Sequence, residues 1–124
     1  MENNFANYET SKKLKELGFD GKCLAFYSNA NLIIQECSKK DMQPHWEVTF
    51  AAPLWQQVRQ WIWDNHKAFI RLEFDYDGYY VASFLNEDGD WNFVLNNKKV
   101  HDYIEAENDA IKDAVEWLHK NVEK

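Results

Sequence analysis

Hydrophobic positions along the chain switch repeatedly between helical and strand spacing. In "SKKLKELGFD", Leu14 and Leu17 share one side of a short helix over 9–17. Gly18 follows where a helix C-terminus takes the left-handed conformation, and Phe19 can then fold back towards Leu14, a Schellman ending. Two apolar runs, 22–28 and 31–37, flank Asn29-Ala30 and read as a hairpin. In "HWEVTF" (45–50), Trp46, Val48 and Phe50 alternate with polar residues, the mark of a half-buried strand.

Pro53 suits the first position of a second helix. At about 100° per residue, Leu54, Trp55, Val58, Trp61 and Ile62 then fall within about 120° of arc and form its core face. Trp63 points away from that face, among Gln56, Arg59 and Gln60.

Residues 69–96 contain two Asp-Gly turns. A two-residue loop at Asp77-Gly78 pairs Tyr76 with Tyr79, Phe74 with Val81, Leu72 with Ser83 and Ile70 with Leu85. "NEDGD" reads as a type I turn closed by a left-handed glycine, a three-residue loop pairing Asn86 with Asp90, Leu85 with Trp91, Ser83 with Phe93 and Val81 with Leu95. A two-residue loop there would oppose Glu87 to Asp90 and turn Trp91 and Phe93 to the other face. The expected core face of this meander is Ile70, Leu72, Phe74, Val81, Leu85, Trp91, Phe93 and Leu95. The opposite face mixes Arg71, Glu73, Asp75, Asn86, Asp90, Asn92 and Asn96 with Phe69, Tyr80, Ala82, Phe84 and Val94. A last helix starts at Asp102, nearly a capping box with Glu105, and its apolar stripe is Tyr103, Ala106, Ala110, Ile111, Ala114, Trp117 and Leu118. The predicted class is α+β, order α-βββ-α-βββ-α: antiparallel sheet packed by helices, with a three-stranded meander at about 69–96.

At 124 residues the chain is expected to be one domain, 1–124. Aromatic residues make up 16% and include six tryptophans, so large buried rings are the expected source of stability. Cys23 and Cys37 sit in apolar stretches and read as free thiols of a reducing compartment. "MENNFANYET" has neither a basic nor an apolar signal region, and no apolar run is long enough to span a membrane, so a cytoplasmic protein is expected. Net charge is −7. Residues 1–71 carry nine Lys/Arg against eight Asp/Glu, and residues 72–124 carry five against thirteen. That field repels phosphate backbones, so direct nucleic-acid binding is not expected.

No catalytic, cofactor-binding or metal-binding constellation emerges. Phosphate-binding glycine patterns and zinc spacings are missing, and His45, His66, His101 and His119 never share a helical i, i+4 face. "DYDG" and "NEDGD" lack the spacing of a calcium loop and already serve as turns. The second helix has no good side-chain cap, because Ala52 precedes Pro53; water or a glutamine would satisfy its first N–H groups. Trp63 is covered by another part of the chain or is a contact residue, where tryptophan is enriched. The candidate interface is Trp63, Arg59 and Gln56, with Phe84 and Tyr80 from the outer sheet face.

"LKELGFDGKCLAFYSNANLI", "APLWQQVRQWIWDNHK" and "YIEAENDAIKDAVEWL" resemble, in order and spacing, a set of small uncharacterised bacterial and phage or prophage proteins. The matching residues are Gly18, Phe19, Asp20, Cys23, Ala25, Tyr27, Pro53, Trp55, Gln56, Gln57 and Trp61. The resemblance implies a mobile-element or accessory context and supplies no activity. The expected function is a non-enzymatic interaction or self-associating accessory protein, without cofactors, whose partner is a protein or a second copy. The alternatives are an acidic decoy or inhibitor of a nucleic-acid-binding protein and an enzyme with an unrecognised site.

Overall fold

Asn7 opens the first helix, α1 (Tyr8–Glu16): its backbone is extended and its Oδ1 accepts the Thr10 N–H at 2.8 Å. One of the unpaired donors of the first turn is thereby satisfied. At the other end Gly18 has φ +97°, the Phe19 N–H reaches Leu14 O at 2.9 Å and the Gly18 N–H reaches Lys15 O at 3.0 Å. This is the Schellman ending that the glycine announces.

The computed structural model describes residues 4–35, 49–74, 78–89, 92–95 and 102–122. The expectations for Cys37, Trp46, Val48, Tyr76, Asp77, Trp91 and His101 lie outside these residues. After α1 come β1 (Phe26–Ser28), β2 (Asn31–Ile33), β3 (Thr49–Ala51), α2 (Trp55–His66), β4 (Ala68–Phe74), β5 (Tyr80–Asn86), β6 (Asn92–Val94) and α3 (Tyr103–Asn121). The fold is α+β, with two antiparallel three-stranded sheets ordered β2-β1-β3 and β4-β5-β6 and helices packed on them. The chain forms two compact units, Met1–Val58 with Val115–Lys124, and Arg59–Ala114.

In the first unit the β1–β2 hairpin closes on the two residues expected. Ser28 pairs with Asn31, and Asn29 and Ala30 both have positive φ, 50° and 68°, the backbone of a type I′ turn. Phe5, Ala25, Tyr27, Phe50 and Ala52 form the core. Tyr8, Tyr27 and Phe50 meet ring to ring at 5.3–5.9 Å, and the buried Tyr27 hydroxyl donates to Ala6 O at 3.1 Å, so its polar end is satisfied. Gln57 supplies the missing helix cap. Its Oε1 accepts the Leu54 N–H at 3.0 Å and its Nε2 donates to Lys22 O at 2.9 Å. Of the two expected partners for the start of α2, water or a glutamine, it is the glutamine that serves, and Gln57 also braces that start against the strand-entry segment.

In the second unit the meander forms, but both its turns differ by one residue from the expected pairing. Phe74 pairs with Tyr80, Leu72 with Ala82 and Ile70 with Phe84, so the first connection is one residue shorter. Phe84 pairs with Phe93 and Leu85 with Asn92, so the second is one residue longer. Together the two shifts slide β6 by two residues relative to β4, and an even slide leaves each outer strand's facing unchanged. β4 and β6 keep Ile70, Leu72, Phe93 and Leu95 on the inner side as expected, and only β5 is inverted. Tyr80, Ala82 and Phe84 face inward; Val81, Ser83 and Leu85 face outward. Phe84 is 0% exposed and its ring meets Phe93 at 5.9 Å.

The physical reason is that burial outweighs turn chemistry. Gly89 does take the left-handed conformation (φ +78°), and its N–H reaches Asn86 O at 3.1 Å. The last described pair is Leu85↔Asn92, and Glu87 lies within the turn that the Gly89–Asn86 hydrogen bond closes. Turning Phe84 inward encloses a ring worth about 2–3 kcal/mol, while Val81 and Leu85, turned outward in exchange, stay partly covered.

Candidate interaction surface

The inversion of β5 redefines the outer face of its sheet. Phe69 pairs with Leu85, Glu73 with Val81, and Ser83 with Val94, so the outer apolar residues are Phe69, Val81, Leu85 and Val94. Phe69 is 40% exposed and Val94 50%. Arg71 and Glu73, ion-paired at 2.8 Å, mark the polar side of this face.

Trp63 joins it from α2. The buried stripe of that helix forms as expected, with Trp55, Val58 and Ile62 inside. Trp63 is 39% exposed; its ring meets Phe69 edge-on at 6.3 Å, and Lys67 Nζ lies 5.3 Å from its centroid. Lys67, at φ +50°, sits at the tight junction between α2 and β4, and its N–H bonds Trp63 O at 2.9 Å. The junction therefore brings the two exposed aromatics together.

Of the remaining candidates, Phe84, Tyr80 and Arg59 lie away from the Trp63 surface, whereas Gln56, seven residues before Trp63, shares its side of α2. Phe84, placed outside by the expected register, is a core residue. Tyr80 is half-buried on the inner side of the sheet, with its ring 5.0 Å from Phe74 and 5.5 Å from Tyr103. Gln56 is exposed on α2. Arg59 turns inward: Nη1 donates to Glu107 Oε2 at 2.6 Å and Nη2 to Ile70 O at 3.1 Å. It holds a carboxylate whose side chain is only 8% exposed and covers a backbone acceptor on β4. Tyr103 OH donates to the same Glu107 oxygen at 3.4 Å.

Sequence reasoning overlooked Glu107. The signal was present, since Glu107 stands four residues from both Tyr103 and Ile111 in the apolar stripe of α3. An acid at such a position needs a cationic partner within hydrogen-bond reach, and Arg59 supplies it.

His66 ends α2 with its ring 5.3 Å from Trp61. Among the described residues its buried Nε2 has no hydrogen-bond partner, and desolvation holds its pKa below 6.5. The neutral ring is the form that fits the fold. Its contribution to stability is complete above the unfolded-state pKa and is lost as pH falls through the folded-state value. Wild-type protein should therefore lose stability from pH 6.5 downwards faster than His66→Gln does, as read from urea midpoints of both proteins across that range.

The buried Cys23 thiol is 3.5 Å from Gly21 O; burial removes it from the surface where a nucleophile would meet substrate. Among the described residues no group of three or more His, Cys, Asp or Glu could hold a metal ion, and no helix is long and apolar enough to cross a membrane. No family model, no curated protein and no solved structure matches the chain.

Proposed function

We propose that this is a non-enzymatic interaction protein that self-associates through the outer face of the β4–β6 sheet and the adjoining Trp63. The observation that carries the reading is the pairing of Trp63 with Phe69, two large rings in edge contact and each about two-fifths exposed. Leu85 lies opposite Phe69 across the ladder and extends the apolar area. Aromatic residues with a fixed orientation and a polar rim are the usual anchors of protein interfaces. The ammonium of Lys67 over the indole adds a contact that keeps the ring in place before a partner arrives.

Light scattering across a concentration series tests the reading. The wild type should pass from monomer to dimer, and Trp63→Lys should shift that transition at least about tenfold upward in concentration, the effect of losing a contact worth 1.4 kcal/mol or more. Because Trp63 is substantially exposed, the variant should keep its circular-dichroism spectrum. A wild type that is monomeric throughout, or a Trp63→Lys variant that associates as well as the wild type, contradicts the proposal.

A further inference from the structure

A second exposed aromatic group lies in the Arg59–Ala114 unit, and it serves neither the core nor the Trp63 face. Phe74, Tyr80 and Tyr103 form a chain of rings, each edge-on to the next, at 5.0 Å and 66° and then 5.5 Å and 77°. Phe74 is 64% exposed, Tyr103 48% and the adjacent Ile104 61%. Leaving this much apolar area in water is costly, and contiguous exposure of this kind marks a contact site.

Two features specify its partner. The first is the order of the rings. Tyr103 directs its hydroxyl to Glu107, which Arg59 holds from the other side. The phenol end is thus occupied, and the ring is what the surface presents. A phenol donating to a carboxylate carries more electron density on its ring, which strengthens attraction for a cation.

The second feature is charge. The Arg59–Ala114 unit contains six Lys/Arg and twelve Asp/Glu. Arg59 is committed to Glu107, and Arg71 is paired with Glu73. The first turn of α3, beside the rings, carries Asp102 and Glu105, both exposed. Asp102 Oδ1 accepts the Glu105 N–H at 2.9 Å, which fixes that carboxylate at the edge of the aromatic group. Rings that attract cations, set in a surplus of acids, repel phosphate and complement a basic polypeptide.

From this we infer that the Phe74–Tyr80–Tyr103 surface binds an arginine side chain of a basic protein partner, with the guanidinium stacked on the exposed rings and steered by Asp102 and Glu105. Arginine fits better than lysine because its planar, weakly hydrated head stacks on a ring at lower desolvation cost. The inference is independent of the Trp63 face and does not require self-association.

The test is calorimetric titration of the full chain with a short Arg-Gly repeat peptide, the matching Lys-Gly peptide and a Ser-Gly control. The Arg peptide should bind measurably, the Lys peptide more weakly and the control not at all. Phe74→Ala and Tyr103→Ala should each weaken Arg-peptide binding about tenfold, as for a partly desolvated cation–ring contact. Phe74→Leu, which keeps an apolar side chain but loses the ring, should weaken it comparably, whereas Trp63→Lys should leave it unchanged. Both ring positions are exposed, and circular dichroism confirms that each variant is folded. The inference is overturned if Phe74→Leu binds like the wild type, or if Arg and Lys peptides bind alike with an affinity that neither ring variant alters, which is the behaviour of diffuse charge alone.

Discussion

Phe84→Ala should destabilise the protein by about 3–5 kcal/mol, the range for removing a fully enclosed ring from a core. Phe84 lies at the centre of the β4–β6 sheet, opposite Ile70 on one strand and Phe93 on the other, and is 0% exposed. Ile70 beside it is 2% exposed, so there is little freedom to collapse into the void. Most of the cavity term is therefore retained. A domain of this size has a stability of about 5–15 kcal/mol, so the variant would stand near the limit of folding. Leu85→Ala, one residue along and on the outer face, should cost about 1 kcal/mol, because its side chain is only partly covered. Urea denaturation of the two variants reads the contrast directly. Had the turn preferences decided the register, the two costs would be exchanged.

Arg59→Met should cost about 2–4 kcal/mol. The substitution keeps much of the apolar stem and removes the guanidinium. Glu107, whose side chain is 8% exposed, would then lose the guanidinium while keeping the 3.4 Å hydrogen bond from Tyr103. Ile70 O would lose its side-chain donor as well. A buried charge deprived of its partner costs about 3–5 kcal/mol when water is fully excluded. The estimate is lower here because the Arg59 side chain is 37% exposed, so water reaches the site and screens part of the loss. The double variant Arg59→Met/Glu107→Leu should recover most of the stability, since exchanging both ions for apolar groups removes the desolvation penalty together with the pair. A cycle of the single and double variants in urea measures this coupling. A double variant no more stable than Arg59→Met would mean that the pair is not what holds these residues together.

Much of this fold was legible in local pattern. Gly18 marked the end of α1, Asn29-Ala30 the first hairpin, Asp102 the start of α3, and the spacing of Trp55, Val58 and Ile62 the buried side of α2. Each of these signals acts within a few residues, and tertiary packing reinforces it. The phase of β5 was not legible in the same way. Its residues Tyr80, Val81, Ala82, Ser83, Phe84 and Leu85 offer apolar groups to both faces, so alternation alone does not choose between them. The choice rested on loop length, which is settled by how well Phe84 packs between Ile70 and Phe93, a contact between residues distant in sequence.

The site shows the same division. Trp63 could be identified because it breaks the stripe of its own helix, and the structure leaves it exposed. Phe84 was misplaced because its position depends on the phase of β5. Arg59 appeared to belong with Trp63 by helical angle. Its side chain is long enough to reach Glu107 and Ile70 O, and a buried carboxylate attracts it more strongly than solvent does. Phe74 lies on the inner side of the sheet, as the alternation of β4 requires, yet it remains exposed; facing inward and being covered are different properties at the end of a strand.

The phase of β5 determines which residues the outer face offers, and interstrand nuclear Overhauser effects measure it most directly. The Glu87 N–H bonds Lys67 O and the Leu95 N–H bonds Ala82 O, which places Ile70–Phe84 and Ser83–Val94 at the close, non-hydrogen-bonded positions of their ladders. Strong Hα–Hα cross-peaks should therefore join Ile70 to Phe84 and Ser83 to Val94. Cross-peaks showing Ile70 directly opposite Leu85 and Ser83 opposite Phe93 would contradict the account, return Phe84 to the surface and remove Leu85 from the proposed interface.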